Sequence, residues 1–168
     1  FEQKADLHIT DQEVIGQYLK ETGGVDKGLV MLNSLNSWRR DGWQAAGQRY
    51  DIHAFTSINF KDHGEVMASV YLLNGAFVGL MLPISAQRQV GQTWEVTGGL
   101  EGAVGSWGGH AVYIMAYNEV GPVCMTWGKR QQMTWYFWDS YAEECYAVIE
   151  NTNKWLANSP VNTDLLEK

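Results

Sequence analysis

GSWGGHAVYIMAYNEVGPVCMTWG, Gly105 to Gly128, is the stretch on which the reading of the fold turns. Ala111 to Tyr117 is an apolar run suited to a strand. Asn118 to Pro122 carries turn residues, and Val123 to Trp127 returns as a second strand. A hairpin pairs the positions that flank its turn, so Thr126 and Trp127 should come back beside His110. His110 then stands at the mouth of a strand, between an apolar core and an open surface. Gly108 and Gly109 precede it, and glycines there let another backbone or a ligand approach closely. Two readings of His110 follow. Its ring could cap the sheet end by hydrogen bonding. It could also serve at a cleft as a general base, oriented by a neighbour on the return strand.

Outward from this hairpin, the pattern upstream is helical. Asp11 to Thr22 places Val14, Ile15, Tyr18 and Leu19 on one face and ends at Gly23-Gly24. Thr10 or Asp11 can cap it, and Glu13 would complete a capping box with Thr10. Lys27 to Arg40 repeats the pattern through Leu29, Val30, Leu32, Leu35 and Trp38, with Asp26 suited to the N-cap and Gly42 after the stop. Tyr50 to Ile58 reads as a strand, Asp62 to Leu73 as a helix, and Ala76 to Pro83 as a short buried strand. Ser85 to Gly109 reads as a long loop, of the kind that is functional or hides structure. Downstream, Thr134 to Glu144 reads as a short helix and Tyr146 to Ile149 as a strand. Helices followed by strands, with helices among them, give an α+β fold. Residues 1–150 are expected to form one domain and 151–168 a polar tail, with Trp155 and Leu156 as anchors.

Composition narrows the function. Hydrophobic residues at 45% and charged residues at 18% describe a globular chain. The net charge of −7 argues against nucleic acid, which needs clustered Lys and Arg. The basic pairs Arg39-Arg40 and Lys129-Arg130 read as solvated turn residues. No apolar run approaches the roughly 20 residues of a membrane span, and the first residues show no basic n-region followed by an apolar h-region. Cys124 and Cys145 are too few for a disulfide framework and fit no zinc spacing, so they read as small core residues. No metal or cofactor is implied, and the compartment is not legible. Eight tryptophans and eight tyrosines could line a groove or fill a core. His8, His53 and His63 read as structural or solvated.

GGHAV, an apolar strand, a turn and then TWG together resemble the papain-like cysteine peptidases. There the catalytic His begins a strand as HAV, and an orienting Asn on the return strand precedes Ser-Trp-Gly. The blocks DQEVIGQYLKETGG, DKGLVMLNSLNSWRRDG, HGEVMASVYLLNGAFVGLMLP and QMTWYFWDSYAEECYAVI resemble a bacterial and phage branch of that superfamily, from Ile9 to about Ile149. The resemblance implies N-terminal helices followed by an antiparallel sheet or half-barrel that carries the His. It implies His110 as the catalytic imidazole, and a cleft near Trp107, Gly108, Gly109 and Trp127.

Two departures qualify it. The family's nucleophilic Cys opens a helix upstream of everything seen here, and Phe1 to Ile9 contains no Cys. The orienting Asn falls on Met125 counted back from Trp127, and on Thr126 counted forward from His110. Only Thr126 offers a useful hydrogen-bonding group, a hydroxyl. Cys124 should lie too deep in the sheet to act as a nucleophile. Cys145 should be suppressed by Glu143 and Glu144. The expectation is therefore the His-bearing part of a peptidase-related domain, inactive alone. Its alternative is a non-catalytic module that holds a peptide or other ligand. A separate N-terminal chain, self-association, or the chain's own tail around Trp155 and Leu156 should cover the apolar surface left by the absent helix.

Overall fold

The computed structural model describes residues 9–150, the side chain of Glu150 excepted. His8, Trp155, Leu156 and the tail 151–168 lie outside the described residues. Contacts divide the chain into two units that meet in sequence between Ala54 and Phe55.

In the first unit, α1 (Asp11–Thr22) begins at Thr10, whose hydroxyl accepts from the Glu13 amide while the Glu13 carboxylate accepts from the Thr10 amide. That reciprocal box satisfies two otherwise orphaned donors. Gly23 closes the helix in the left-handed conformation. Val14, Ile15 and Leu19 remain exposed, so the apolar face of α1 is uncovered. Helix α2 (Met31–Asp41) starts four residues later than its pattern suggests. Tyr18 explains the delay. Its hydroxyl donates to Asp26 at 2.5 Å and accepts from the Gly28 amide at 2.9 Å, which draws the intended cap residue away from the helix. The buried face is consequently Met31, Ser34 and Leu35, while Leu29, Val30 and Leu32 are exposed.

The Tyr50–Ile58 strand expected from sequence breaks at Asp51: Tyr50 closes a short hairpin that the sequence pattern did not announce, and the strand proper is Ile52–Ser57. Strands β1 (Trp43–Ala45) and β2 (Gln48–Tyr50) form a small antiparallel hairpin, and β3 (Ile52–Ser57) follows. Trp38 of α2 stacks on Trp43 at 4.5 Å and donates its indole N–H to the Tyr50 carbonyl. The Glu13 carboxylate accepts from the Ala46 amide in the hairpin turn.

In the second unit, α3 (His63–Leu73) is capped by Asp62, and β4 (Ala76–Leu82) alternates buried and half-buried residues. After them come β5 (Gly108–Tyr117), β6 (Pro122–Thr126), β7 (Lys129–Gln132), α4 (Trp135–Tyr141) and β8 (Ala142–Glu150). The sheet runs β3-β8-β4-β5-β6-β7, and its pairings from β8 to β7 are antiparallel. It is an open sheet, with β3 and β7 at its edges. The fold is α+β. One sheet face packs Val78, Leu80, Val112, Ile114 and Cys124 against Val66 and Val70 of α3 and Phe137, Trp138 and Tyr141 of α4.

Two further elements depart from the sequence pattern, while the 85–109 loop does hide structure. Lys129 and Arg130 are exposed, but they open strand β7 instead of filling a turn. The helix of 134–144 stops at Tyr141, and β8 starts at Ala142, four residues early, because Glu144 and Cys145 pair with Gly79 and Val78 of β4. The 85–109 stretch holds two 3-10 turns, Ile84–Gln89 and Leu100–Gly102. Between them Trp94 bridges to Met133 in parallel, its amide bonding the Gln132 carbonyl at 2.9 Å.

Candidate functional site

His110 sits near the start of β5, on the core-facing side of the sheet that Val112 and Ile114 share. Its backbone pairs with Leu80 of β4. On the other side β6 returns in the register Tyr113↔Met125. Alternation along β6 buries Cys124 and Thr126 and turns Met125 outward, 43% exposed. Thr126, 7% exposed, therefore reaches diagonally across the pair toward the imidazole. His110 Nε2 and Thr126 Oγ1 lie 2.7 Å apart. The structure thus puts Thr126, and not Met125, beside the imidazole.

The turn after Thr126 explains the third group. Thr126 pairs with Lys129, so Trp127 and Gly128 form a two-residue hairpin loop. Their φ angles of 45° and 70° are both positive, the signature of a type I′ turn. Gly128 suits that geometry, whereas Trp127 adopts it at a steric cost. In return the Trp127 ring lies parallel to His110, with centroids 4.6 Å apart and planes inclined 11°. Trp107 also stacks on Trp127 at 5.3 Å, and Trp94 meets it edge-on at 6.2 Å. Trp127 is 50% exposed, so this aromatic group forms both wall and surface of the site.

The strand end that carries these groups is fixed by β4. The Trp107 amide donates to the Leu82 carbonyl at 2.9 Å, and Gly108 and Gly109 pair with Leu82 and Met81. A methyl group built on Gly108 would meet no heavy atom within 4 Å, so the space beside it is open. Crowding does not require glycine there; its φ of 132° does. His110, Thr126, Trp107, Gly108, Gly109 and Trp127 are thus gathered at one end of the sheet.

Burial lowers the His110 pKa from its ordinary value, which favours the neutral imidazole. The Thr126 contact engages the imidazole through Nε2. A hydroxyl can donate or accept, so Thr126 holds the ring without dictating its tautomer, unlike an amide carbonyl.

The two thiols are chemically quiet. Burial pushes Cys124 up to about 12 and Cys145 likewise to about 12. For Cys145 the cause is desolvation, not the adjacent Glu143 and Glu144 expected from sequence. His53 lies on β3, and His63 bonds Asp139 at 2.6 Å while stacking on Trp135. Among the described residues no three His, Cys, Asp or Glu side chains converge as a metal site, and no helix is long and apolar enough to cross a membrane.

Trp94 is the member of the site that sequence reasoning missed. It stands in an aperiodic Gly- and Thr-rich segment, and its contacts arise from a single parallel bridge that no local pattern announces. No family model and no curated protein matches the chain.

Proposed function

We propose that this chain is the His-bearing part of a papain-like cysteine peptidase-related domain. His110 is its proton-transferring imidazole and Thr126 its orienting partner. The observation that carries the reading is the 2.7 Å contact of His110 with Thr126 beneath the parallel ring of Trp127. In the reaction, His110 takes the proton from a cysteine thiol, and the thiolate attacks an amide carbonyl. The C–N bond of the tetrahedral intermediate breaks as the imidazolium returns the proton to the leaving amine. Water then attacks the acyl-enzyme with His110 again as base, releasing the acid and the thiol. Orientation and a lowered imidazole pKa suit the first step, because the neutral ring is the competent base.

Neither thiol of these 168 residues fits the nucleophile's part, since both are buried with pKa values near 12. The reading therefore assigns the thiolate to a separate segment or chain that packs against His110. The same observation favours a second reading, a non-catalytic module that holds a peptide or protein ligand against Trp107 and Trp127. The coding sequence upstream of Phe1 separates them. A cysteine followed by a helical run, co-expressed with this chain, should give iodoacetamide-sensitive hydrolysis of a quenched fluorescent peptide, abolished by His110→Ala. No such cysteine, or no such hydrolysis, overturns the peptidase reading. The binding reading then requires peptide binding that Trp127→Ala weakens.

A further inference from the structure

We propose that Gln131 is a positioning residue for the His110 site: its carboxamide sets the seat of Trp94 and, through Trp94, the lie of the Trp127 ring over the imidazole. This rests on the reading of His110 as the working imidazole, but the test reads the imidazole itself and not turnover.

Gln131 occupies a core position on β7, opposite Cys124, and is 2% exposed. An apolar side chain of similar size would fill that space. A buried carboxamide is tolerated only when its groups are paired, since each orphan costs about 1–3 kcal/mol. Here the pairing is with a loop some forty residues away in sequence. Oε1 accepts from the Gly91 amide at 2.9 Å, and Nε2 donates to the Gln92 carbonyl and to the Gln132 carbonyl. One acceptor and one donor at that spacing are what the peptide unit of a neighbouring strand would offer. Gln131 therefore stitches the 91–92 segment to the sheet through its side chain.

Backbone pairing takes over two residues later. The Trp94 amide donates to the Gln132 carbonyl at 2.9 Å, and the Thr134 amide donates to the Trp94 carbonyl at 3.0 Å. The indole is fully buried, donates to the Ala86 carbonyl and stacks on Phe137 at 5.4 Å. From that seat its ring meets Trp127 at 6.2 Å and 77°. Trp127 in turn stacks on His110. The chain of contact runs from Gln131 through the loop and two indoles to the imidazole, and packed rings of this kind pass on small displacements.

The experiment is NMR titration of the 168-residue chain, with the His110 signal identified by its loss in His110→Gln. In the parent protein a parallel indole shifts the His110 ring protons upfield. In Gln131→Leu the fold is expected to persist by circular dichroism. The His110 signals should move downfield, and the titration midpoint should rise toward that of an exposed histidine. Gln131→Met fills the same space without polar groups or charge, so it should move the signals and the midpoint in the same direction. It decides the matter if Gln131→Leu does not fold. A folded variant with a lowered Tm but unchanged His110 signals and midpoint would overturn the proposal and leave Gln131 a stabilising residue only. Absence of peptide hydrolysis would count against the peptidase reading and would leave these signals as they are.

Discussion

The Trp127 indole lies flat against the His110 imidazole at 4.6 Å, and it gets there through a left-handed backbone that tryptophan seldom adopts. A type I′ loop of two residues normally takes Asn or Gly at its first position. Strain at a tight turn is kept where neighbouring contacts hold it. Here those contacts are His110, Trp107 and Trp94.

Trp127→Asn tests that balance. The substitution relieves backbone strain of roughly 1 kcal/mol. It also removes three ring contacts, each worth about 0.5–1.5 kcal/mol, together with the area of a half-buried indole. The losses win, and urea denaturation should show a net destabilisation of about 1–3 kcal/mol. A variant more stable than the parent would mean that the ring contributes less than the turn costs.

Thr126→Val keeps the shape of the side chain and deletes the hydroxyl that meets His110 Nε2. Leaving a partly buried ring nitrogen without its partner should cost about 1 kcal/mol, with Thr126→Ser nearly neutral. The imidazole 15N shifts should change in the Val variant and not in the Ser variant. Equal stability and equal shifts in both would show that the hydroxyl does not hold the ring.

Much of this arrangement is legible in the sequence because it is local. The Thr10–Glu13 box, the Asp62 cap and the hairpin that carries His110 and Thr126 each follow from spacing over a few residues. What escaped is non-local. Tyr18 diverts Asp26 and delays α2 through a contact eight residues distant. Strand pairing with β4 overrides the helical pattern of 142–144. Lys129 and Arg130 are polar, which hides an edge strand, although charged residues are what exposed edges carry. Trp94 and Gln131 join the site only through tertiary bonds between residues some forty positions apart.

The cysteines give a chemical prediction. With both thiols near 12, thiolate at pH 8 is negligible, so iodoacetamide should leave the native chain almost unmodified and alkylate both residues in guanidinium. No thiol-dependent hydrolysis should come from these 168 residues alone. The sign for stability follows from the raised values. Folding is favoured fully below the unfolded thiol pKa of about 8.5, and stability is lost as pH rises from there toward about 12. Alkaline melts should show the loss, and Cys124→Ala should reduce its slope. Rapid alkylation of the native protein at pH 8 would contradict the burial of both groups.

The last prediction concerns His110 at acid pH. Burial disfavours the imidazolium, so the folded pKa lies below the roughly 6.5 of an unfolded histidine. The unfolded chain then binds the proton first as pH falls, and protonation draws the equilibrium toward it. Stability associated with the neutral ring is complete above pH about 6.5 and is lost as pH falls through the folded pKa. Below that value both states are charged, and the contribution levels off. Thermal melts between pH 7 and pH 4 should show this loss in the parent protein. His110→Gln, which cannot titrate, should remove that part of the slope and leave the carboxylate contribution lower in pH. The Thr126 hydroxyl can satisfy either form of the ring, so Thr126→Ser should preserve the slope. An NMR midpoint for His110 at or above that of an exposed histidine would reverse the sign, and would mean that the imidazolium is stabilised in the fold by a charge or hydrogen bond.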